Sequence, residues 1–275
     1  MWEEKINDAR FGRFLGGFVS EGTIDEKGNL KITNQDLKFI DCIVKSATEL
    51  FGKEISTDKP PTPEHIKDIT KWAFHKYLSR KFGRFLIEEV GIKGGKKILN
   101  NEPLPNFILD WFKSGKDALK FRNWMRGYIQ ARLSGDGWVH LEKKWVGLTK
   151  AKALSINRNL EKELSNLYFK GKKTREYPKS FIEKLRFEAK KEINIPREMT
   201  QLKEIINNIF DISSRVYSAG IGRLYHDKKR NKLIVSGIYH LIISPKENVL
   251  KFRDYIGFLD IDSRNTERLN QILKN

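Results

Sequence analysis

The sequence predicts an α+β protein made of two related halves, each with the element order αββαββα. The first observation is a repeated segment ending in an acidic residue and glycine: residues 14–22 read F-L-G-G-F-V-S-E-G, and residues 129–137 read I-Q-A-R-L-S-G-D-G. The second is that each segment leads into a strand-turn-strand pattern, closing on L-K-I-T at Thr33 and V-G-L-T at Thr149, and then into an amphipathic helix. A match of this extent indicates a duplicated unit.

Small residues in the repeated segments predict that two helices pack against each other. Gly16 and Ser20 lie four residues apart in the first segment, as do Ala131 and Gly135 in the second, so each pair shares one helix face. Helices with such faces can approach backbone to backbone. We therefore expect the two halves to be related by a pseudo-twofold axis, with these helices at their interface.

The acids that end the two segments, Glu21 and Asp136, then lie side by side. Paired carboxylates bind divalent metal, so the cofactor we expect is Mg²⁺ or another divalent cation such as Mn²⁺. A second register is possible, because residues 125–133 (M-R-G-Y-I-Q-A-R-L) also resemble the segment and would put Arg132 where the acid belongs. We prefer Asp136, which keeps the G-D-G ending and nearly repeats the spacing between acid and threonine.

The remaining elements of the first half follow from turn residues and apolar spacing. Helix, hairpin, helix, strand and helix are predicted in that order at 12–20, 23–33, 36–50, 69–75 and 78–90. The D-E-K-G-N turn at 25–29 separates the two strands of the hairpin. Pro60, Pro61 and Pro63 predict a rigid loop, because proline is excluded from the interior of a strand.

The second half repeats this order with an insertion at about residues 169–214. After the second motif helix, the predicted strands and helices lie at 138–149, 152–168, 180–192, 200–210, 216–225, 233–244, 246–256 and 264–273. We place the domain boundary near Phe121, which gives a first domain at 1–121 and a second at 122–275. The hairpin tip between the last two strands, H-D-K-K-R-N-K, is strongly basic.

Charge and cysteine usage restrict the classes of function. The 275 residues include 53 Lys plus Arg against 35 Asp plus Glu, a net charge of +18 that attracts phosphates. A nucleic acid is therefore the expected partner. Among nucleic acids we expect double-stranded DNA and possibly intron RNA, and we expect no obligate protein partner. The single cysteine, Cys42, excludes an internal disulfide and a cysteine-based zinc site. No apolar run is long enough to cross a membrane, so we expect a cytoplasmic protein.

These motifs resemble those of a known family, the double-motif LAGLIDADG homing endonucleases, including the archaeal and intein-borne types. The resemblance rests on the two acid-ended segments, the strands after each, segment 103–109 (P-L-P-N-F-I-L) and the C-terminal F-R-D-Y-I-G-F-L-D. It implies two domains whose antiparallel sheets form a DNA-binding saddle. The implied activity is that of a monomeric, metal-dependent endonuclease that makes a double-strand cut in a long site, in the homing of an intron or intervening sequence.

The resemblance also implies roles for individual residues. Family members hold water with a polar residue just after the second strand and place a basic residue near the metal. The candidate catalytic residues at the matching positions are Glu21, Asp136, Asn34, Lys150 and Lys97, or its neighbour Lys96. The candidate metal site comprises Glu21, Asp136, Ser20 and Gly135.

Candidate DNA contacts follow from the geometry of an antiparallel sheet, which buries one face under helices and presents the other to solvent. The major groove admits a two-stranded β-ribbon, so outward side chains can read base edges. The candidates along the strands are Lys31, Thr33, Lys143, Arg215, Tyr217 and Arg223. Those in the basic hairpin tip are Lys228, Lys229 and Arg230.

Histidine and tryptophan residues carry weaker signals. The five histidines, at 65, 75, 140, 226 and 240, show no metal-ligand spacing, and we expect them on the surface or in packing contacts. The six tryptophans, at 2, 72, 111, 124, 138 and 145, are expected mostly in the core.

Two other function classes remain open. A relative that kept the fold and lost cleavage would act as an intron RNA maturase or as a DNA- or RNA-binding protein, and the irregular second segment and the insertion favour it. An unrelated basic structural protein with a coincidental repeat is disfavoured by the matched spacing.

Overall fold

The predicted α+β class with two related halves is confirmed. The computed structural model describes residues 2–57, 60–65, 72–95, 102–169, 176–227 and 232–274. The first half contains α1 (Ala9–Glu21), β1 (Gly22–Ile24), β2 (Leu30–Asn34), α2 (Leu37–Phe51), β3 (Thr62–His65), β4 (Trp72–Leu78) and α3 (Arg80–Glu88). The second half contains α5 (Ala118–Asp136), β5 (Gly137–His140), β6 (Trp145–Ala153), α6 (Arg158–Phe169), α7 (Lys179–Lys190), α8 (Arg197–Phe210), β7 (Ser214–Asp227), β8 (Lys232–Ile243), α9 (Lys246–Tyr255) and α10 (Ser263–Lys274).

Each half forms a four-stranded antiparallel sheet, and the two sheets have matching strand order: β1-β2-β4-β3 in the first half and β5-β6-β8-β7 in the second. Side chains alternate across the sheet, as the two-residue period of a strand requires. In β2, Leu30 and Ile32 are buried against the helices, while Lys31 and Thr33 lie on the opposite face. We call that opposite face the open face of the sheet.

One proline prediction is wrong. Pro63 lies within strand β3 rather than in a loop that excludes strand structure, and it is paired with Phe74 of β4. The strand forms the edge of the first sheet, where the N–H group that proline lacks is not required by a second neighbouring strand. Pro60 and Pro61 precede the strand.

The boundary predicted near Phe121 falls inside a helix. Helix α5 begins at Ala118, and α4 (Asn106–Ser114), an element that the pattern did not predict, precedes it. Gly115, at φ 63, and Asp117, at φ 48, adopt left-handed conformations between the two helices. The chain therefore breaks helical structure just before α5, and the domain boundary near Phe121 stays a prediction.

A single hydrophobic cluster joins the two halves. It contains buried side chains of α1 and α2 from the first half, of α5 and β6 from the second, and of α8 from the insertion. Helices α6 and α7 pack with Val235 of β8 in a smaller cluster of their own. The insertion is therefore split between the two, with α8 built into the main core.

Candidate active site

Glycine residues bring the backbones of α1 and α5 into direct contact. A Cβ atom placed on Gly16 would clash with the carbonyl oxygen of Tyr128, and one placed on Gly12 would clash with that of Trp124. On the other helix, a Cβ on Gly127 would lie 2.9 Å from the carbonyl oxygen of Ala9. The close backbone approach predicted for these two helices is present, and we call this contact the motif-helix interface.

The contacts across the motif-helix interface are symmetric, and this symmetry fixes the register of the repeat. Gly12 meets Trp124 and Gly127 meets Ala9, so the same sequence interval relates Gly12 to Gly127 and Ala9 to Trp124. The same interval carries Glu21 onto Asp136. The same interval makes Gly17, which is not an acid, the counterpart of Arg132. By this correspondence Asp136 is the counterpart of Glu21, as the preferred register has it.

The two acids lie at neighbouring helix ends. Glu21 is the last residue of α1 and Asp136 the last of α5, because Gly22 and Gly137 turn to extended conformations and begin strands at once. A Cβ on Gly135 would clash with the Ser20 hydroxyl and lie 3.4 Å from Cγ of Glu21. The ends of the two helices are therefore in van der Waals contact where the acids are attached.

A buried arginine reaches Asp136 from the preceding helical turn. Arg132 is 3% exposed, and its Nη1 donates to Oδ2 of Asp136, whose side chain is 36% exposed. The same Nη1 lies 3.3 Å from the Ser20 hydroxyl of the other motif helix. Residues four apart share a helix face, so the pairing follows from the sequence spacing. Since Gly17 is the counterpart of Arg132, glycine offers no side chain to Glu21 from the equivalent position.

Glu198, from the inserted helix α8, supports this arginine. Its side chain is 3% exposed, and Oε1 accepts from Nε of Arg132 at 3.1 Å. Tyr128 donates its hydroxyl to the same oxygen at 3.3 Å, and Nζ of Lys150 donates to Oε2. Burial opposes ionisation of this carboxyl, but the charges of Lys150 and Arg132 outweigh burial and lower the pKa of Glu198 to about 2.

The sequence prediction missed Glu198, although a signal for it exists. Leu202 and Ile205 follow it at helical spacing and are buried, which places the acid on the apolar face of α8. An acid on a buried face needs a buried cation, and the structure supplies Arg132 and Lys150. The sequence does not state which helix lies opposite.

Three of the predicted catalytic residues, Asp136, Lys150 and Asn34, line two separate cavities, and Glu21 lines neither of them. Lys150 lines a cavity of about 450 Å³ together with Ser20, Asp136 and Glu198. Asn34 lines another, of about 130 Å³, with Ser134 near the end of α5. The side chain of Asn34 accepts from the backbone N–H of Asp36 at 2.7 Å, so one of its polar atoms closes the turn before α2. Lys96 and Lys97 lie outside the described residues.

Several predicted DNA contacts lie on the open faces of the two sheets. Lys31 pairs with Thr23 and Tyr77 across the first sheet, and Oγ1 of Thr33 lies 2.7 Å from Nδ1 of His75. Lys143 lies in the β5–β6 turn, and Arg215 and Tyr217 lie on β7 with exposed side chains. Arg223 belongs to β7, but its side chain is outside the described part of the structure, as are Lys228, Lys229 and Arg230.

Two of the six tryptophans do not lie in the core, where most of them were expected. Trp138 and Trp145 are half-buried on the open face of the second sheet, because their neighbours Val139 and Val146 take the core-facing positions. Trp124, in contrast, is fully buried, as predicted.

The described part of the chain contains no group of three or more His, Cys, Asp and Glu side chains arranged to hold a metal ion. Besides the carboxylates of Glu21 and Asp136, the oxygen ligands open to a Mg²⁺ ion are those of the candidate residues Ser20 and Gly135, phosphate oxygens and waters. No helix among the described residues is long and apolar enough to cross a membrane.

Comparison with known proteins gives likenesses of fold. No protein-family model and no curated protein match the chain. Among solved structures, it is similar to a variant of I-DmoI in complex with its target DNA in the presence of Mg, with 13% identity, 92% of this chain and 97% of that chain covered, and a TM-score of 0.42. It is also similar to the N-terminal LAGLIDADG domain of DUF199/WhiA, with 12% identity, 95% and 92% covered, and a TM-score of 0.40.

A structure of I-DmoI in complex with DNA and Mn is similar at 13% identity, with 90% of this chain and 97% of that chain covered and a TM-score of 0.38. At such identities and scores the likeness concerns the fold alone.

Proposed function

We propose that this chain, with its two LAGLIDADG-type halves, is a site-specific endonuclease that binds duplex DNA and hydrolyses a phosphodiester bond in each strand. The observation that carries the proposal is the motif-helix interface, whose symmetric contacts bring Glu21 and Asp136 to adjoining helix ends. Both acids come from one chain, so a monomer suffices. Homing of an intron or intervening sequence would be the biological setting.

Two carboxylates at helix C-termini fit a divalent cation. The carbonyl groups that end a helix carry partial negative charge, so an acid there is destabilised unless a cation lies close. Arg132 already supplies one such cation to Asp136. Glu21 and Asp136 would hold Mg²⁺ or Mn²⁺, which when bound offsets the charge that develops on the phosphate and makes a water molecule more acidic.

The residues of the chain would position this chemistry. Ser20 and Gly135 set the spacing between the helices, since any larger side chain at Gly135 would meet the Ser20 hydroxyl. Lys150 is held by Glu198 at the wall of the cavity that also contains Asp136, where it would orient water or a phosphate oxygen. Asn34 would act at the other side of the interface, near Ser134.

Duplex DNA would lie across the open faces of the two sheets. The net charge of +18 favours any polyanion and makes binding strongly dependent on salt. Contacts to phosphates and bases are proposed for Lys31 and Thr33 in the first sheet, for Lys143, Arg215, Tyr217 and Arg223 in the second, and for the tip residues Lys228, Lys229 and Arg230.

One observation favours a second candidate function, binding without cleavage. Arg132 occupies a coordination position of Asp136 with a guanidinium, and a metal would compete with it. If the guanidinium wins, the chain would bind DNA or intron RNA and leave it intact. The two candidates differ in whether Asp136 is needed for a chemical step.

The test is a pool of duplexes randomised over about 20 base pairs, incubated with Mg²⁺ and sequenced at new ends. We expect a single enriched cut sequence. Glu21→Gln and Asp136→Asn should each reduce double-strand cutting of the selected duplex at least about 100-fold with binding nearly unchanged, because phosphate contacts supply the affinity.

Glu26→Gln is the matched control, since Glu26 is an exposed acid in the hairpin turn after Glu21, and it should cut like the wild type. Full activity of Asp136→Asn would remove Asp136 from the site. Absence of any new ends, together with tighter binding of structured RNA than of duplex, would establish the second candidate function instead.

A further inference from the structure

The open face of the second sheet carries a cluster of rings with two basic side chains at its edge. Strand alternation in β6 sends Val146 and Leu148 to the core and Trp145, Gly147 and Thr149 to the open face. The register places Trp138 of β5 opposite Gly147, and it places His240 of β8 between Thr149 and Tyr217 of β7. We call this set, with His140, the ring platform: Trp138, His140, Trp145, Tyr217 and His240.

Trp138 lies flat on the sheet. A Cβ atom placed on Gly147 would contact three adjacent atoms in the six-membered ring of Trp138. The nearest is Cζ2 at 2.4 Å, and the two atoms bonded to it, Cε2 and Cη2, both lie at 2.7 Å. Near-equal short distances to three adjacent ring atoms indicate a point above the ring face, not beyond its edge. The indole N–H donates to the Thr149 hydroxyl at 2.8 Å, which fixes the ring in this orientation. Its other face therefore points away from the sheet.

Two imidazole rings flank the indole. His240 has its centroid 5.3 Å from that of Trp138 and is inclined by 65°, and His140 lies at 6.3 Å and 69°. Burial lowers the pKa of His240, so this ring is neutral at pH 7 and acts as an aromatic wall. The result is a shallow slot with a flat aromatic floor.

Several polar groups on and beside the ring platform are already paired. The one polar atom of the indole and the Thr149 hydroxyl bind each other, and the Tyr217 hydroxyl lies 3.3 Å from Nδ1 of His240. Reading a base edge requires free donors and acceptors. The platform instead offers ring faces. Duplex DNA presents only base edges in its grooves, because its base faces are stacked on one another.

Two cations border the slot and stand over Trp145. Nζ of Lys143 lies 4.9 Å from the Trp145 ring, and the Arg215 guanidinium carbon lies 5.3 Å from it. Among the described residues neither forms an ion pair with a carboxylate. Both charges are therefore free to pair with phosphates on either side of a bound base.

We propose that the ring platform binds a single nucleic-acid strand, with an unpaired base stacked on Trp138 and the adjoining phosphates paired with Arg215 and Lys143. Stacking uses the π-face that every base has, and the sugar takes no part, so DNA and RNA strands should bind alike. The proposal goes beyond cleavage at Glu21 and Asp136, and it gives the open face of the second sheet a second use, when no duplex lies across it.

The experiment measures fluorescence anisotropy with three labelled probes: a dT 20-mer, a U 20-mer and a 20-nucleotide abasic strand of the same charge. The wild type should bind dT and U within about threefold of each other and the abasic strand at least about tenfold more weakly. Trp138→Ala should weaken dT binding by roughly 10- to 100-fold and leave abasic binding unchanged. Tyr77→Ala is the control, because Tyr77 is 46% exposed on the open face of the first sheet.

Equal binding of abasic and dT strands by the wild type would overturn the proposal without any variant, so misfolding of Trp138→Ala could not hide the result. Unchanged dT binding by a folded Trp138→Ala variant would also overturn it. Neither outcome depends on cleavage, so failure here is distinct from failure of the endonuclease proposal.

Discussion

Replacing Glu198 with glutamine tests whether the inserted helix holds the cations of the active site. Glu198 is buried and pairs with Arg132 and Lys150. Its pKa falls from 4.5 to about 2, which corresponds to roughly 3 kcal/mol of stabilisation at about 1.4 kcal/mol for each tenfold change. Breaking a buried ion pair from one side costs ~3–5 kcal/mol. Glu198→Gln should therefore lower the free energy of unfolding at pH 7 by about 3–5 kcal/mol.

The pH dependence provides a second readout. Because the folded pKa of Glu198 lies below its unfolded value, its contribution is fully present above pH 4.5 and is lost as pH falls towards 2. The difference between the wild type and Glu198→Gln should shrink by ~1 kcal/mol between pH 7 and pH 4. Urea unfolding at both pH values, extrapolated to water, measures it.

Glu163→Gln is the matched control for this prediction. Glu163 pairs with Lys184 at 3.1 Å, but the two side chains are 40% and 55% exposed. Exposed pairs contribute ~0–1 kcal/mol, so this variant should unfold nearly like the wild type. If Glu198→Gln also stays within about 1 kcal/mol of the wild type, Glu198 does not hold Arg132 and Lys150, and the description of the network is refuted.

Two further outcomes are expected. Gly16→Val should lose cleavage and melt at a lower temperature, because the valine side chain would clash with the Tyr128 carbonyl across the motif-helix interface. Overpacking of this kind costs ~1–3 kcal/mol or more. Melting and cutting like those of the wild type would mean that the two helices are not in contact. The stability of the wild type in urea, measured relative to that of Lys152→Met, should rise between pH 8 and 10.5, because burial, with Arg197 and Lys150 nearby, lowers the pKa of Lys152 to about 8. Parallel curves for the two proteins would refute this.

The sequence predicted the parts of the fold that local chemistry determines. Glycine after Glu21 and Asp136 ends both motif helices, and the D-E-K-G-N turn closes the first hairpin. Small residues such as Gly16 predicted the backbone contact, because only the absence of a side chain permits it. These features depend on a few adjacent residues, so their sequence signals are strong.

The features that the sequence did not predict depend on partners far along the chain. Glu198 could be placed on a buried face by spacing, but its pairing with Arg132 and Lys150 depends on how α8 packs on α5 and β6. Trp138 and Val139 are both apolar, so alternation could not decide which of them faces the core. The strand register decides, and register is set by pairing with β6.

The most direct test of the central claim locates the metal by its chemistry. Fe²⁺ replaces Mg²⁺ in the presence of duplex DNA, hydrogen peroxide and ascorbate. Bound Fe²⁺ reduces the peroxide to hydroxyl radicals, which cut the polypeptide next to the residues that hold the ion, and ascorbate returns the resulting Fe³⁺ to Fe²⁺. We predict two cuts, near Glu21 and near Asp136, that excess Mg²⁺ suppresses and Glu21→Gln abolishes. Cuts at one helix end alone, or at neither, would contradict the claim that the two acids share a metal site at the motif-helix interface.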